Sequence, residues 1–168
     1  MLFSSKRETF IPKKYVTSIF EKHILEGGHM EGSGTLARES IQNEKYVWID
    51  KIILVVEDID LNFLYISELL KPTGTMIIHA VNGKEAVERC QRDGNIDMVL
   101  MDIYMPIMNG YEASRQIKSI RPDLPIIAQT AYAMAEDRKR AIEAGCDDFI
   151  AKPIGKDDLL LKISSFFK

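Results

Sequence analysis

Residues 51–58 read KIILVVED, five apolar residues followed by an acidic pair. A run this short and this continuous suits a strand buried on both faces of a parallel sheet. Glu57 and Asp58 then leave the sheet at its carboxyl edge, where open α/β sheets bind ligands. The pattern recurs downstream: IDMVLM leads into Asp102, PIIAQ into Thr130 and DFIA into Lys152. Four strands thus deliver three carboxylates, a hydroxyl and an ammonium to one edge. That set suits a divalent cation beside a phosphoryl group.

Outward from these runs, strand and helix alternate. Strands are predicted at 52–56, 76–80, 97–101, 126–130 and 148–151, and helices at about 60–71, 83–92, 109–120, 134–144 and 156–167. Five βα units with short connections predict an α/β fold, a doubly wound five-stranded parallel sheet with five helices on its two faces. The flavodoxin-like order 2-1-3-4-5 puts strands one and three side by side at the switch point. Asp60 is expected to cap the first helix and Asn109 the third. Pro72 with Gly74, and Pro122, are expected to end those helices, and Gly145 to close the fourth.

Before this domain the character changes. Residues 1–45 show no steady period and carry a glycine-rich patch from Gly27 to Gly34, so a flexible or weakly structured linker is expected there. Val16, Ile19, Phe20 and His23 fall at helical spacing, consistent with a short helix from Tyr15 to Leu25. His29-Met30 in its Gly/Ser setting resembles a cloning scar. Order is expected from Tyr46-Val47-Trp48, which can cover one edge of a domain spanning 46–168.

Composition narrows the function classes. The 168 residues carry a net charge of -3, so nothing suggests a broad nucleic-acid surface. Cys90 and Cys146 match no metal-ligand spacing and no disulfide framework, as expected of reduced thiols in a cytoplasmic protein. No apolar run approaches the roughly 20 residues of a membrane span, so no membrane contact is expected of this domain.

Each strand-end residue alone reads as a turn, a cap or a solvated side chain. Together, Glu57, Asp58 and Asp102 crowd one crevice, where like charges repel until a pKa rises or a cation binds. Oxygen-only donors suit Mg2+, with Mn2+ as a substitute, better than zinc. Thr130, the Ala131 amide and Lys152 can cradle phosphoryl oxygens, and a carboxylate nucleophile would give an acyl phosphate.

The blocks ILVVED, VLMDIYMPIMNG, PIIAQTA and FIAKPI resemble, in order and spacing, the signatures of response-regulator receiver domains of two-component signalling. The resemblance covers residues 50–168 and implies the following roles. Asp102 matches the phosphoacceptor. Glu57 and Asp58 match the acidic pair that organises Mg2+, joined by Asp102 and the backbone carbonyl of Tyr104. Thr130 and Phe149 match the switch pair, and Lys152 matches the lysine that pairs with the acceptor and then with the phosphate. Lys152-Pro153 is expected to be cis. Tyr104 and Tyr132 should rim the site, and their bulk is expected to set the lifetime of the acyl phosphate. The implied partner is a histidine kinase or a histidine phosphotransfer domain, and phosphorylation is expected to switch the face formed by the fourth helix, fifth strand and fifth helix.

Asn62 and the lead-in YVWIDKIILVVED look most like the C-terminal receiver of a hybrid histidine kinase, with a stand-alone regulator as the other setting. Gly32-Ser33-Gly34-Thr35 is a faint echo of a kinase glycine-rich box, and His23 resembles no phosphoacceptor-histidine motif. No room for a DNA-binding helix-turn-helix follows the last helix. Rival readings fare worse. A haloacid-dehalogenase phosphatase wants Asp where Tyr104 stands, and a flavin binder wants Ser, Thr and Gly where residues 57–60 are acidic. A receiver-like module that binds partners without phosphorylation is the remaining alternative. The sequence does not set an oligomeric state.

Overall fold

The computed structural model describes residues 46–131 and 135–167. The expectations for residues 1–45, and for Tyr132, lie outside the described residues. The chain runs β1 (Ile52–Val56), α1 (Asp60–Leu70), β2 (Met76–Ala80), α2 (Gly83–Arg92), β3 (Met98–Asp102), α3 (Gly110–Ile120), β4 (Ile126–Thr130), α4 (Ala135–Glu143), β5 (Asp148–Ala151) and α5 (Lys156–Ser164). All strand pairs are parallel, in the order β2-β1-β3-β4-β5. Alternation along each strand separates two cores. Leu54, Val56, Val99, Met101, Ile126 and Ala128 pack against α2, α3 and α4. Ile53, Val55, Met98, Leu100, Ile127 and Ile150 pack against α1 and α5. Burial of both faces is what the unbroken apolar runs required.

Trp48 belongs to the second core, where Phe167 meets its ring edge-on at 5.4 Å. Helix α5 stops short of its expected end because Ser164 and Ser165 turn their hydroxyls back onto the carbonyls of Leu161 and Lys162. Asn109 caps α3 by accepting from the Glu112 N–H, and Asn82 caps α2 in the same way through Glu85. Asp60 does not cap α1. It is already helical, Ile59 holds the cap position, and the Glu57 carboxylate takes the Ile59 N–H at 3.3 Å. Gly145 closes α4 at φ +93°, a conformation that favours glycine.

β3 extends one residue further than the pattern suggested and includes Asp102. The chain then turns through residues 103–109 and re-enters a helix at Gly110, whose N–H donates to the Ile103 carbonyl. A Cβ at Gly110 would collide with the Asp102 carbonyl oxygen, so only glycine lets α3 start this close to the strand. Among the described residues, no helix is long and apolar enough to cross a membrane.

Candidate functional site

The sheet register brings the strand ends together. Val56 lies opposite Met101, so Glu57 and Asp102, the next residues, stand side by side. Carboxylate oxygens of Glu57, Asp58 and Asp102 lie within 4.8 Å of one another. Glu57 is fully buried, Asp102 is 6% exposed, and Asp58 faces solvent. From the far side of the sheet Lys152 extends its ammonium to Glu57 Oε2 and to Asp102 Oδ2, both at 2.7 Å. The Lys152-Pro153 peptide bond is cis.

The electrostatics follow from this crowding. Burial pushes the Asp102 carboxyl above its ordinary value; Lys152 pulls it back, and the neighbouring Glu57 adds to the rise. Burial works against the Lys152 charge, but hydrogen bonds to Asp102 and Glu57 outweigh it and raise the ammonium. Two buried carboxyl groups share one ammonium, with a third carboxyl group at the mouth. A small hard cation fits that donor set, since oxygens alone are offered and one side is open to water.

The remaining residues of the site sit around this core. Thr130, 4% exposed, ends β4, and its carbonyl accepts from the Lys152 N–H at 2.8 Å; Ala131 follows at the surface. The Tyr104 N–H donates to Asp102 Oδ1 at 3.2 Å. Phe149 is half-buried beside the α2–α4 core, with the Arg138 guanidinium 5.0 Å and the Lys162 ammonium 5.3 Å from its ring centre.

Several contacts were not anticipated. Asn62, in the first turn of α1, donates to Glu57 Oε1 at 2.9 Å and fixes that carboxylate. His79 on β2 bonds the Glu57 carbonyl through Nε2 at 2.8 Å and stacks on Phe63 with ring centres 3.8 Å apart. The half-exposed Tyr104 donates its hydroxyl to Asp137 on α4 at 3.2 Å and is bonded by Tyr111. Spacing hinted at Asn62 alone, since it lies one helical turn beyond the acidic pair. Ile107 adopts φ 72° with Met108 N donating to the Pro106 carbonyl at 2.8 Å, a γ-turn that a β-branched residue rarely accepts. A separate cleft at the opposite end of the sheet, beside Asp97 and Arg121, lies away from this chemistry. There the Arg121 guanidinium is taken up by the carbonyls of Asp93, Gly94 and Ile96.

Comparison with known proteins places this geometry in context. The model of the response regulator receiver domain family matches residues 53–164. The polar-differentiation response regulator DivK of Brucella anthropi is 34% identical over 69% of this chain and 95% of its own length. The hybrid signal transduction histidine kinase I of Dictyostelium discoideum is 40% identical over 63% of this chain, but that match spans only 7% of the kinase. Among solved structures, the receiver domain of sensor histidine kinase PA1611 from Pseudomonas aeruginosa, described with a magnesium ion in its active site cleft, aligns with TM-score 0.65 and 33% identity over 69% of this chain and 96% of that one. The Saccharomyces cerevisiae complex of the histidine phosphotransfer protein Ypd1 with the receiver domain of the response regulator Ssk1 aligns with TM-score 0.67 and 26% identity, over 71% and 90%.

Proposed function

The chain belongs to the response regulator receiver domain family of two-component signalling, and from that premise we propose that it is the phosphoacceptor of a phosphorelay. An Asp102 carboxylate oxygen attacks the phosphorus of a phosphohistidine on the donor. The P–N bond breaks, the imidazole leaves with its electron pair, and an acyl phosphate forms on Asp102. The observation that carries this reading is the Lys152 ammonium, 2.7 Å from both Glu57 and Asp102, in a cluster of three carboxylates.

Each group has a task in the transfer. Asp58, Asp102, Glu57 and the Tyr104 carbonyl are the groups that would hold Mg2+, which supplies charge neutralisation for the incoming phosphoryl oxygens. Lys152 shifts from the carboxylates toward the phosphoryl group as charge builds there. Thr130 and the Ala131 N–H bond the remaining oxygens. Phosphorylation adds nearly two negative charges at pH 7. Thr130 moves toward them, and Phe149 turns into the space it leaves, shifting the balance between two packings of α4, β5 and α5. Water later cleaves the acyl phosphate, with the half-exposed Tyr104 limiting its approach.

The donor is a histidine kinase or a histidine phosphotransfer domain, by likeness to the Ypd1 complex and to the hybrid kinase. The matches include both settings, a receiver within a larger kinase and a free regulator. No observation favours an interaction-only module, because every site position holds the residue type the chemistry needs. The test is labelling by a small-molecule phosphodonor such as acetyl phosphate. Wild type should take up one phosphoryl group in Mg2+ and Asp102→Asn none; persistent labelling of the variant would refute the acceptor assignment.

A further inference from the structure

The Gln129 side chain has no hydrogen-bond partner that the resting fold supplies. It precedes Thr130 on β4, is fully buried, and has no hydrogen bond at either end of its side-chain amide. Among the described residues no other buried side-chain nitrogen or oxygen is left in this condition. A buried amide without partners is costly, because it has surrendered water at both ends.

The register places this amide. Gln129 lies opposite Asp102 on one side and Ile150 on the other. Side chains alternate along strands, so Gln129 shares the sheet face of Ile127, Ile150 and Asp102. Lys152, two residues beyond Ile150, leaves β5 on that face and ends on Asp102 of β3 and on Glu57. A side chain that starts on β5 and finishes on β3 must cross β4. The β4 residue level with Asp102 on that face is Gln129.

We propose that Gln129 is a positioning residue for Lys152, its amide oxygen accepting from the ammonium once Asp102 carries a phosphoryl group. This rests on the phosphoacceptor reading above. Lys152 has three N–H donors, and in the unmodified protein two of them meet carboxylates. Phosphorylation turns one Asp102 oxygen into the bridging oxygen of an acyl phosphate, a poorer acceptor. Lys152 then turns to the phosphoryl group, and the Gln129 oxygen fixes it there. The amide oxygen is unpaired in one state and paired in the other. Its burial therefore biases the equilibrium toward the phosphorylated arrangement. An apolar residue would suit the unmodified sheet better and would give no such bias.

The experiment compares wild type, Gln129→Met and Gln129→Leu by calorimetric titration with Mg2+ alone and with Mg2+ plus beryllofluoride, a tetrahedral phosphoryl mimic. Both variants should melt at a higher temperature than wild type and bind Mg2+ as wild type does. Both should bind beryllofluoride about tenfold more weakly, the loss of one hydrogen bond to a charged group. A purely structural role would raise the melting temperature and leave the beryllofluoride affinity alone, and that result would overturn the proposal. If leucine cannot be accommodated, methionine, close in length and shape to glutamine, decides the matter. A wild type that binds no beryllofluoride would overturn the phosphoacceptor reading and this inference together, whereas normal wild-type binding with unaffected variants would overturn the inference alone.

Discussion

Among the described residues, Lys152 is the one cation that bridges the two buried carboxylates. Replacing it with methionine leaves Glu57 and Asp102 uncompensated, and urea denaturation at pH 7 should show a loss of about 3 kcal/mol. The opposite change relieves the crowding. The Asp102 carboxyl is raised above its ordinary value of 3.8, chiefly by burial. It therefore binds a proton more readily folded than unfolded, and its ionisation erodes stability as pH rises from 3.8 through the raised value. Asp102→Asn, whose one amide oxygen can still accept from Lys152 while the Tyr104 N–H loses its acceptor, removes the buried charge and should be at least as stable as wild type at pH 7, with an advantage that shrinks as pH falls toward 3.8. Lys152 acts at the other end of the scale. Its folded pKa is raised above 10.5, so its contribution is complete below 10.5 and is lost as pH climbs through the folded value. Mg2+ should then stabilise wild type by about 2.7 kcal/mol at a hundredfold excess over its Kd. Melting curves with and without Mg2+ should show that gain sharply reduced in Asp102→Asn.

Among the elements, the turn between β3 and α3 carries the clearest test. Ile107 is 79% exposed and strained at φ 72°. Ile107→Gly should stabilise the fold by about 1 kcal/mol in denaturant titrations, since glycine enters that region without a Cβ penalty. Gly110→Ala should do the reverse, cutting stability and phosphoryl uptake together, because the new Cβ meets the Asp102 carbonyl. These two positions also mark what the sequence can and cannot say. The strands were legible because each is a short apolar run, and the site was legible because each run ends in a different polar residue. Strand alternation and parallel register then left little freedom in where those ends could meet. The strain at Ile107 was not legible, since nothing in Met-Pro-Ile-Met requires a positive φ. Asp60 reads as the cap of α1 in the sequence because no local pattern shows that Glu57, outside the helix, takes the Ile59 N–H. The link from Tyr104 to Asp137 spans 33 residues and depends on where α4 settles, which local pattern does not encode.

Over the described domain, one sheet divides two cores and carries the site at its carboxyl edge, so the site depends on both cores. Trp48, the chain's one tryptophan, reports on the α1–α5 side, while Cys90 and Cys146 lie buried on the other. Burial pushes the Cys90 thiol up to about 11 and raises Cys146 as well, so both should resist thiol reagents until the domain unfolds. Tryptophan fluorescence and thiol labelling across a urea gradient should therefore report one shared midpoint; two midpoints would mean that the cores open separately. The site itself is decided by where the phosphoryl group lands. Wild type incubated with acetyl phosphate, reduced with borohydride to trap the acyl phosphate and mapped by peptide mass spectrometry should carry the mark on Asp102, and only when Mg2+ is present. A mark on another residue, or one undiminished by chelating the metal, would contradict the account.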